Sequence, residues 1–252
     1  MATVIEPVRF LGTACWLVWR AARGITVRCW HDDPLVYGAT AVAISRSVWR
    51  QLPMIAAISA LIGALTGILA GQVLNVYRAE LLVLAAMTEA LFRQIVPLVI
   101  GIFASGSTAV DLASRIGAMR LANEIEALES MGNDSAAFVL GPALAGIVLA
   151  GPPHLIVGAA VSLLAAGLTV VATANIGWHD LYILTLTDRS GVALLAGLGK
   201  VMVYSLIAFA VGAAIGAQPV RVPSDIGARA GQAFRTGLLA ILAAATLWEA
   251  FA

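Results

Sequence analysis

Charge is scarce in this chain. Asp, Glu, Lys and Arg together make up 12% of its 252 residues, against a hydrophobic share of 61% and a mean hydropathy of +0.94. That balance excludes an ordinary soluble domain. Strand-type alternation is also missing, which argues against a membrane β-barrel. The net charge is +1, and no basic run carries interleaved aromatics, so nucleic-acid binding is set aside. The two cysteines, Cys15 and Cys29, have no disulfide framework to join and no partners at metal-ligand spacing. They read as apolar filler. His31 falls in the N-terminal arm, and His154 and His179 read as interfacial residues near span ends. No pair of them has metal-ligand spacing, so no metal site is expected. The nearest approach to a phosphate loop, Gly199-Lys200-Val201, puts Val201 where a hydroxyl must meet Mg²⁺ and Leu194 where the first glycine belongs. The chain is therefore expected to have no ATPase site of its own. Phe10 to Trp19 has the look of a short signal core, but Gly12, Thr13 and Ala14 offer no lipoprotein leucine before Cys15. Arg20 and Arg23 follow at once, so the N-terminus is expected to be retained.

What the chain does have is long apolar runs, each able to cross roughly 30 Å of hydrocarbon as a helix. The fold class is an all-α integral membrane protein with about five transmembrane helices, organised as one domain over 1–252. Residues 1–50 mix Trp16, Trp19, Trp30 and Trp49 with six arginines, a pairing suited to amphipathic helices lying in the headgroup layer. The transmembrane region, 53–252, opens at Pro53. Gly63, Gly67 and Gly71 share one face of that first span and let another backbone approach closely. Further spans are predicted over Leu81 to Val110, within Ala136 to Ala174, from Val192 to about Gly216, and from Thr236 onward. Gly151-Pro152-Pro153 leaves the third region readable as one kinked pass or two short ones. One pass puts Arg221, Arg229 and Arg235 on the same side as Arg115, Arg120 and the N-terminal arginines, as the positive-inside bias requires. Five spans then give a cytoplasmic N-terminus and an extracytoplasmic C-terminus.

Between spans two and three lies the one long polar stretch, 111–134, which this topology makes cytoplasmic. Within it Asn123 is expected to cap a helix, with Glu126 returning the bond in a capping box and Gly132 stopping it. The helix would be about 12 Å long. Leu121, Ile125 and Leu128 fall on one face, with Glu126 and Glu129 elsewhere. A short helix of this kind is how a transporter's membrane subunit takes up motion from a separate nucleotide-hydrolysing subunit. The bland alternative is a solvated loop helix.

Three runs, LFRQIVPLVIGIFASG, RIGAMRLANEIEALESMGND and VPSDIGARAGQAFRTG, resemble the MlaE/YrbE family of permeases, the membrane subunits of ABC systems that work with MCE-domain proteins in lipid transport. The likeness covers Leu91 to Asp134 and returns over Pro219 to Trp248. It rests on Arg93 with Pro97, on Ile116-Gly117-x-Met119-Arg120, on Glu124, Glu129 and Met131, and on Pro223-Ser224-x-Ile226-Gly227. The resemblance implies a bacterial inner-membrane permease paired with a second copy or a paralogue, an extracytoplasmic MCE-domain assembly, and a lipid substrate. It also implies a cytoplasmic ATPase, binding ATP and Mg²⁺, that grips the coupling helix through Glu124, Glu126, Leu128, Glu129, Met131 and Gly132. The face of Gly63, Gly67 and Gly71 becomes a candidate for subunit packing. The chain departs from the family pattern at Gln94, where a glutamate is usual, at Ser107, where an arginine is usual, and at Arg115, where an acid is usual.

Arg93 carries two readings. An unpaired charge inside a span costs about 2.5 kcal/mol or more on insertion scales. Glu89, one turn earlier, can hold Arg93 in an ion pair that serves helix packing. Alternatively Arg93 and Gln94, with Glu89, face a lipid pathway and meet a phosphate or carboxylate. Ser105, Ser107 and Thr108 are weaker candidates for such a path, since hydroxyls in membrane helices commonly bond back to their own backbone. Two other classes compete: an intramembrane hydrolase using Ser105 or Ser107, which would need a histidine base within reach, and a structural anchor for an extracytoplasmic complex.

Overall fold

A computed structural model of the chain describes residues 2–30, 34–77, 80–132, 134–174, 176–177, 179 and 188–251. All regular structure among them is helical. Helix α1 covers Ala2–Trp30 and α2 covers Pro34–Tyr77. Next come α3 (Glu80–Ala90), α4 (Val96–Ala104) and α5 (Val110–Leu121), joined by π-turns at Leu91–Ile95 and Ser105–Ala109. The short α6 is Glu124–Ser130. A third π-turn, Ala136–Leu140, leads into α7 (Gly141–Ala174), and α8 (Asp188–Gly216) and α9 (Pro223–Phe251) complete the order. His31 and the side chains of Arg28, Cys29 and Trp30 lie outside the described residues. Cys15 is a free, exposed thiol.

Among the described residues five stretches are long and apolar enough to cross a membrane: Gly38–Val76, Leu82–Leu121, Phe138–Ala174, Ser190–Gly216 and Pro223–Phe251. The chain is thus an all-α, multi-pass membrane protein. Gly141–Ala174 runs as one helix through Pro152 and Pro153, which makes the third region a single pass. Membrane helices tolerate such prolines because neighbouring groups re-satisfy the freed carbonyls. Three spans differ from their expected limits: the second runs on to Leu121 rather than ending at Val110, the fifth starts at Pro223 rather than Thr236, and the first starts earlier than Pro53. Residues 34–52 are the opening turns of α2, continuous with the apolar run beyond Pro53. The 39 residues of Gly38–Val76 measure about 58 Å at about 1.5 Å each, roughly twice the hydrocarbon thickness. Arg46, Trp49 and Arg50, residues suited to the headgroup layer, are thus carried on the same rod as the apolar run beyond Pro53.

The chain divides into two compact units. One consists of Met1–Val48, Gly101–Ala150 and Val203–Ala252. Its core brings Ala14, Leu17 and Ala21 of α1 onto Leu112 and Ile116 of α5, Leu140 and Leu144, and Phe209 and Ala213 of α8. Those α1 residues recur at the spacing of a single helical face. Here α9 buries Ala233, Gly237 and Ile241. A side chain at Gly237 would sit 3.1 Å from the Ser105 Cβ, so glycine is what allows α9 to close on the second π-turn.

The other unit consists of Trp49–Ile100 and Gly151–Met202. Leu84, Met87, Leu91 and Phe92 pack there with Ala70 and Leu74 of α2 and Ala159, Ala166 and Val170 of α7. The glycine face of α2 lies against α7: a Cβ on Gly63 would strike the Ser162 backbone, one on Gly67 the Ala166 backbone and Thr169, and one on Gly71 the Thr173 hydroxyl. The contact of Gly63, Gly67 and Gly71 is therefore within the subunit, which corrects the expectation of a subunit interface. Backbones this close leave no room for a second chain.

His154 also departs from expectation. It lies well inside α7 rather than near an end of it, and is only 3% exposed.

Candidate functional site

The polar segment is built as two helices with an abrupt joint. The Ala122 N–H donates to the Ala118 carbonyl at 3.0 Å and the Asn123 N–H to the Arg120 carbonyl at 3.1 Å, which ends α5. Asn123 then takes φ 56° and ψ 23°, the left-handed conformation that asparagine tolerates better than most residues. The expected capping box is absent: the Asn123 side chain makes no capping bond to α6. A side-chain cap needs extended backbone at the N-cap. Asn123 instead joins the two helices as a single left-handed residue. Its carbonyl accepts from the Ala127 N–H at 3.0 Å and so starts α6.

At the far end the Gly132 N–H donates to the Glu129 carbonyl at 3.0 Å, and Gly132 holds φ 77°. Glycine suits this left-handed stop because it has no Cβ to clash. Between the two joints, Glu124, Glu126, Glu129, Met131 and Gly132 are exposed. Leu121, Ile125 and Leu128 are half-buried, with Ile125 on the core of its unit. The helix thus has an apolar side turned inward and an acidic side turned out, with Met131 beside it 66% exposed.

Two contacts restrain the segment's exit. Ser135 Oγ donates to Glu129 Oε1 at 2.7 Å. Arg20 Nη2 donates to Asp134 Oδ1 at 2.7 Å, an ion pair that ties α1 to the end of the loop. Sequence spacing gives no hint of the second contact, since 114 positions separate its partners.

Glu89, Arg93 and Gln94 sit around the first π-turn. There the Val96 N–H reaches the Leu91 carbonyl, a five-residue closure placed just before Pro97, whose missing N–H already interrupts the α-helical ladder. Arg93 Nη1 lies 3.5 Å from Glu89 Oε1, with both side chains partly exposed. Gln94 is exposed, while Leu91 and Phe92 turn inward. Gly197 of α8 packs on this turn, where a Cβ would meet the Phe92 carbonyl and lie 3.1 Å from Pro97 Cγ. At the second π-turn, Ser105 Oγ donates to the Ile102 carbonyl and Ser107 Oγ to the Phe103 carbonyl, both at 2.8 Å. Both hydroxyl protons are committed to their own helix, unlike those of an activated nucleophile. His179 is exposed. Among the described residues no cluster of three or more His, Cys, Asp or Glu residues could hold a metal.

Lys200 is a polar residue that the sequence reading weighed only as part of a failed phosphate loop. It is 1% exposed within α8. Its signal was its position, a lysine deep in an apolar run, where ionisable side chains tend to be functional.

A multi-pass helical protein with an exposed acidic helix between its second and third spans has the layout of a transporter membrane subunit. Residues 40–251 match the family model described as Permease MlaE, and the chain belongs to that family. It is also similar to a probable ABC transporter permease protein of Rickettsia bellii (strain RML369-C), with 20% identity over 157 residues. That match covers 62% of this chain and 61% of the relative.

Proposed function

We propose that this chain is the membrane permease subunit of an ABC-type lipid transporter of the bacterial inner membrane, working with an MCE-domain protein. In this reading it catalyses nothing itself. A cytoplasmic ATPase binds ATP and Mg²⁺ and grips α6 through Glu124, Glu126, Leu128, Glu129, Met131 and Gly132. A second permease, identical or paralogous, completes the membrane core. The N-terminus is cytoplasmic and the C-terminus periplasmic. A phospholipid or related molecule passes Arg93, Gln94 and Glu89, where the forked guanidinium suits a phosphate.

The observation that carries this reading is the seven-residue acidic helix, held at both ends by left-handed residues and exposed on its charged side. Such a rod is stiff enough to pass on a push and free enough to be gripped. Family membership and the similarity to the rickettsial permease agree with it. Charge reversal at two exposed sites, Glu126→Lys with Glu129→Lys, is expected to abolish co-purification with the ATPase while leaving membrane insertion intact. Undiminished co-purification would refute the coupling role.

A further inference from the structure

Beneath α1 lies a cavity of about 200 Å³ whose walls include Trp16, Leu17 and Arg20 of α1, Ile116 and Arg120 of α5, and Ile125 of α6. A larger cleft of about 700 Å³ adjoins it, sharing Thr13 and Ala217 and adding Arg9, Gln218 and Gln232. All of these residues belong to one compact unit.

The charges of the smaller cavity are unequally served. Arg20 is matched by Asp134, and Glu129 accepts the Ser135 hydroxyl. Arg120 differs: among the described residues its Nε is buried without a hydrogen-bond partner. The wall carries two guanidinium groups, Arg20 and Arg120, against the one carboxylate of Glu129, and a buried N–H left open there calls for an anionic acceptor. The remaining walls are mostly apolar. Helix α1 bears marks of the headgroup layer beside the cavity, with the Arg20 guanidinium 4.9 Å from the Trp16 ring centre on its wall and, further along the helix, Arg23 stacked in the same way on Trp19 at 5.3 Å. Trp16, Trp19 and Leu11 are all more than half exposed. Tryptophan with arginine on such a helix is the signature of a membrane–water boundary.

We propose that this cleft binds the phosphate headgroup of a membrane phospholipid, with Arg120 as its principal charged partner and the lipid tails leaving past Trp16. The lipid then serves as a third tie, beside the Arg20–Asp134 pair, between α1 and the segment that carries α6. This site stands on membrane residence alone and does not depend on the transport reading.

The test uses the full-length protein in phosphatidylcholine nanodiscs containing a photoactivatable phosphatidylglycerol, with crosslinked peptides mapped by mass spectrometry. Crosslinks are expected on the peptides holding Trp16 and Ile125. They should fall about tenfold in Arg120→Gln, as for loss of one charge-assisted contact, and stay unchanged in Arg115→Gln, whose arginine is exposed and outside the cavity wall. Ile125→Trp, which fills the cavity and keeps every charge, should lower them equally, so the result survives if the Arg120 variant fails to fold. Equal labelling of all variants would mean annular lipid and overturn the proposal. So would labelling elsewhere, or its suppression by excess inorganic phosphate, which would mark a site for a free anion.

Discussion

Replacing Gly63 by alanine tests the packing of α2 on α7 most directly. The new Cβ would fall on the Ser162 carbonyl and Cα, which are backbone atoms of a helix and have no rotamer to escape into. Overpacking of this kind costs about 1–3 kcal/mol, and the better helix propensity of alanine returns roughly 1 kcal/mol. Since the obstacle is backbone, the net loss should sit near the upper end, about 2 kcal/mol. For a chain of this size that lowers the unfolding midpoint by about 4–8 °C. Gly71→Ala is the internal control: its Cβ meets only Thr173 side-chain atoms, which can rotate at the expense of the 2.7 Å bond to the Thr169 carbonyl, so its midpoint should barely move. Gly231→Ala, with nothing within 4 Å, should gain up to about 1 kcal/mol. Thermal unfolding of the detergent-solubilised protein reads all three. The reasoning fails if Gly63→Ala melts at or above the unaltered protein. It also fails if the substitution shifts oligomeric state alone, because the glycine face would then serve a second chain.

Arg93→Gln leaves Glu89 without its partner inside a span and should reduce membrane-inserted protein, by a cost on the order of 2.5 kcal/mol; the double variant Glu89→Gln, Arg93→Gln should restore insertion. If the pair serves packing alone, the double variant also restores lipid transport in a reconstituted assay, whereas a lipid-contacting Arg93 leaves transport lost. A double-mutant cycle on Arg20→Ala and Asp134→Asn should give a coupling of at most about 1 kcal/mol, since both side chains are about a third exposed or more; limited proteolysis after α6 should nevertheless quicken in either single variant. Gly132→Ala forces a Cβ into the left-handed region at φ 77° and should cost about 1 kcal/mol, seen as faster amide exchange over the last turn of α6.

The spans were legible because a bilayer imposes a length and an apolar composition that a sequence cannot disguise. Five were expected, and five are found among the described residues. Even the double proline of α7 yielded to charge, because Arg221, Arg229 and Arg235 could share a side with the other arginines only if that helix crossed once. The start of the first span was less legible: arginine and tryptophan describe the layer a residue prefers, and a helix can run through two layers without a break. Within the polar segment the amphipathic face of α6 and its glycine stop follow from local periodicity and from the conformational freedom of glycine. The asparagine joint does not, because the same residue favours an N-cap and a left-handed link, and the choice is made by how tightly α5 ends before it. Contacts between distant parts of the chain lie beyond any local pattern. Arg20 and Asp134 meet because Ala14, Leu17 and Ala21 seat α1 on the same core as Leu112, Ile116 and Leu140, which brings the arginine to the loop's exit. The same seating encloses Arg120 with its open donor, so the packing that positions the acidic helix also creates the cavity beside it.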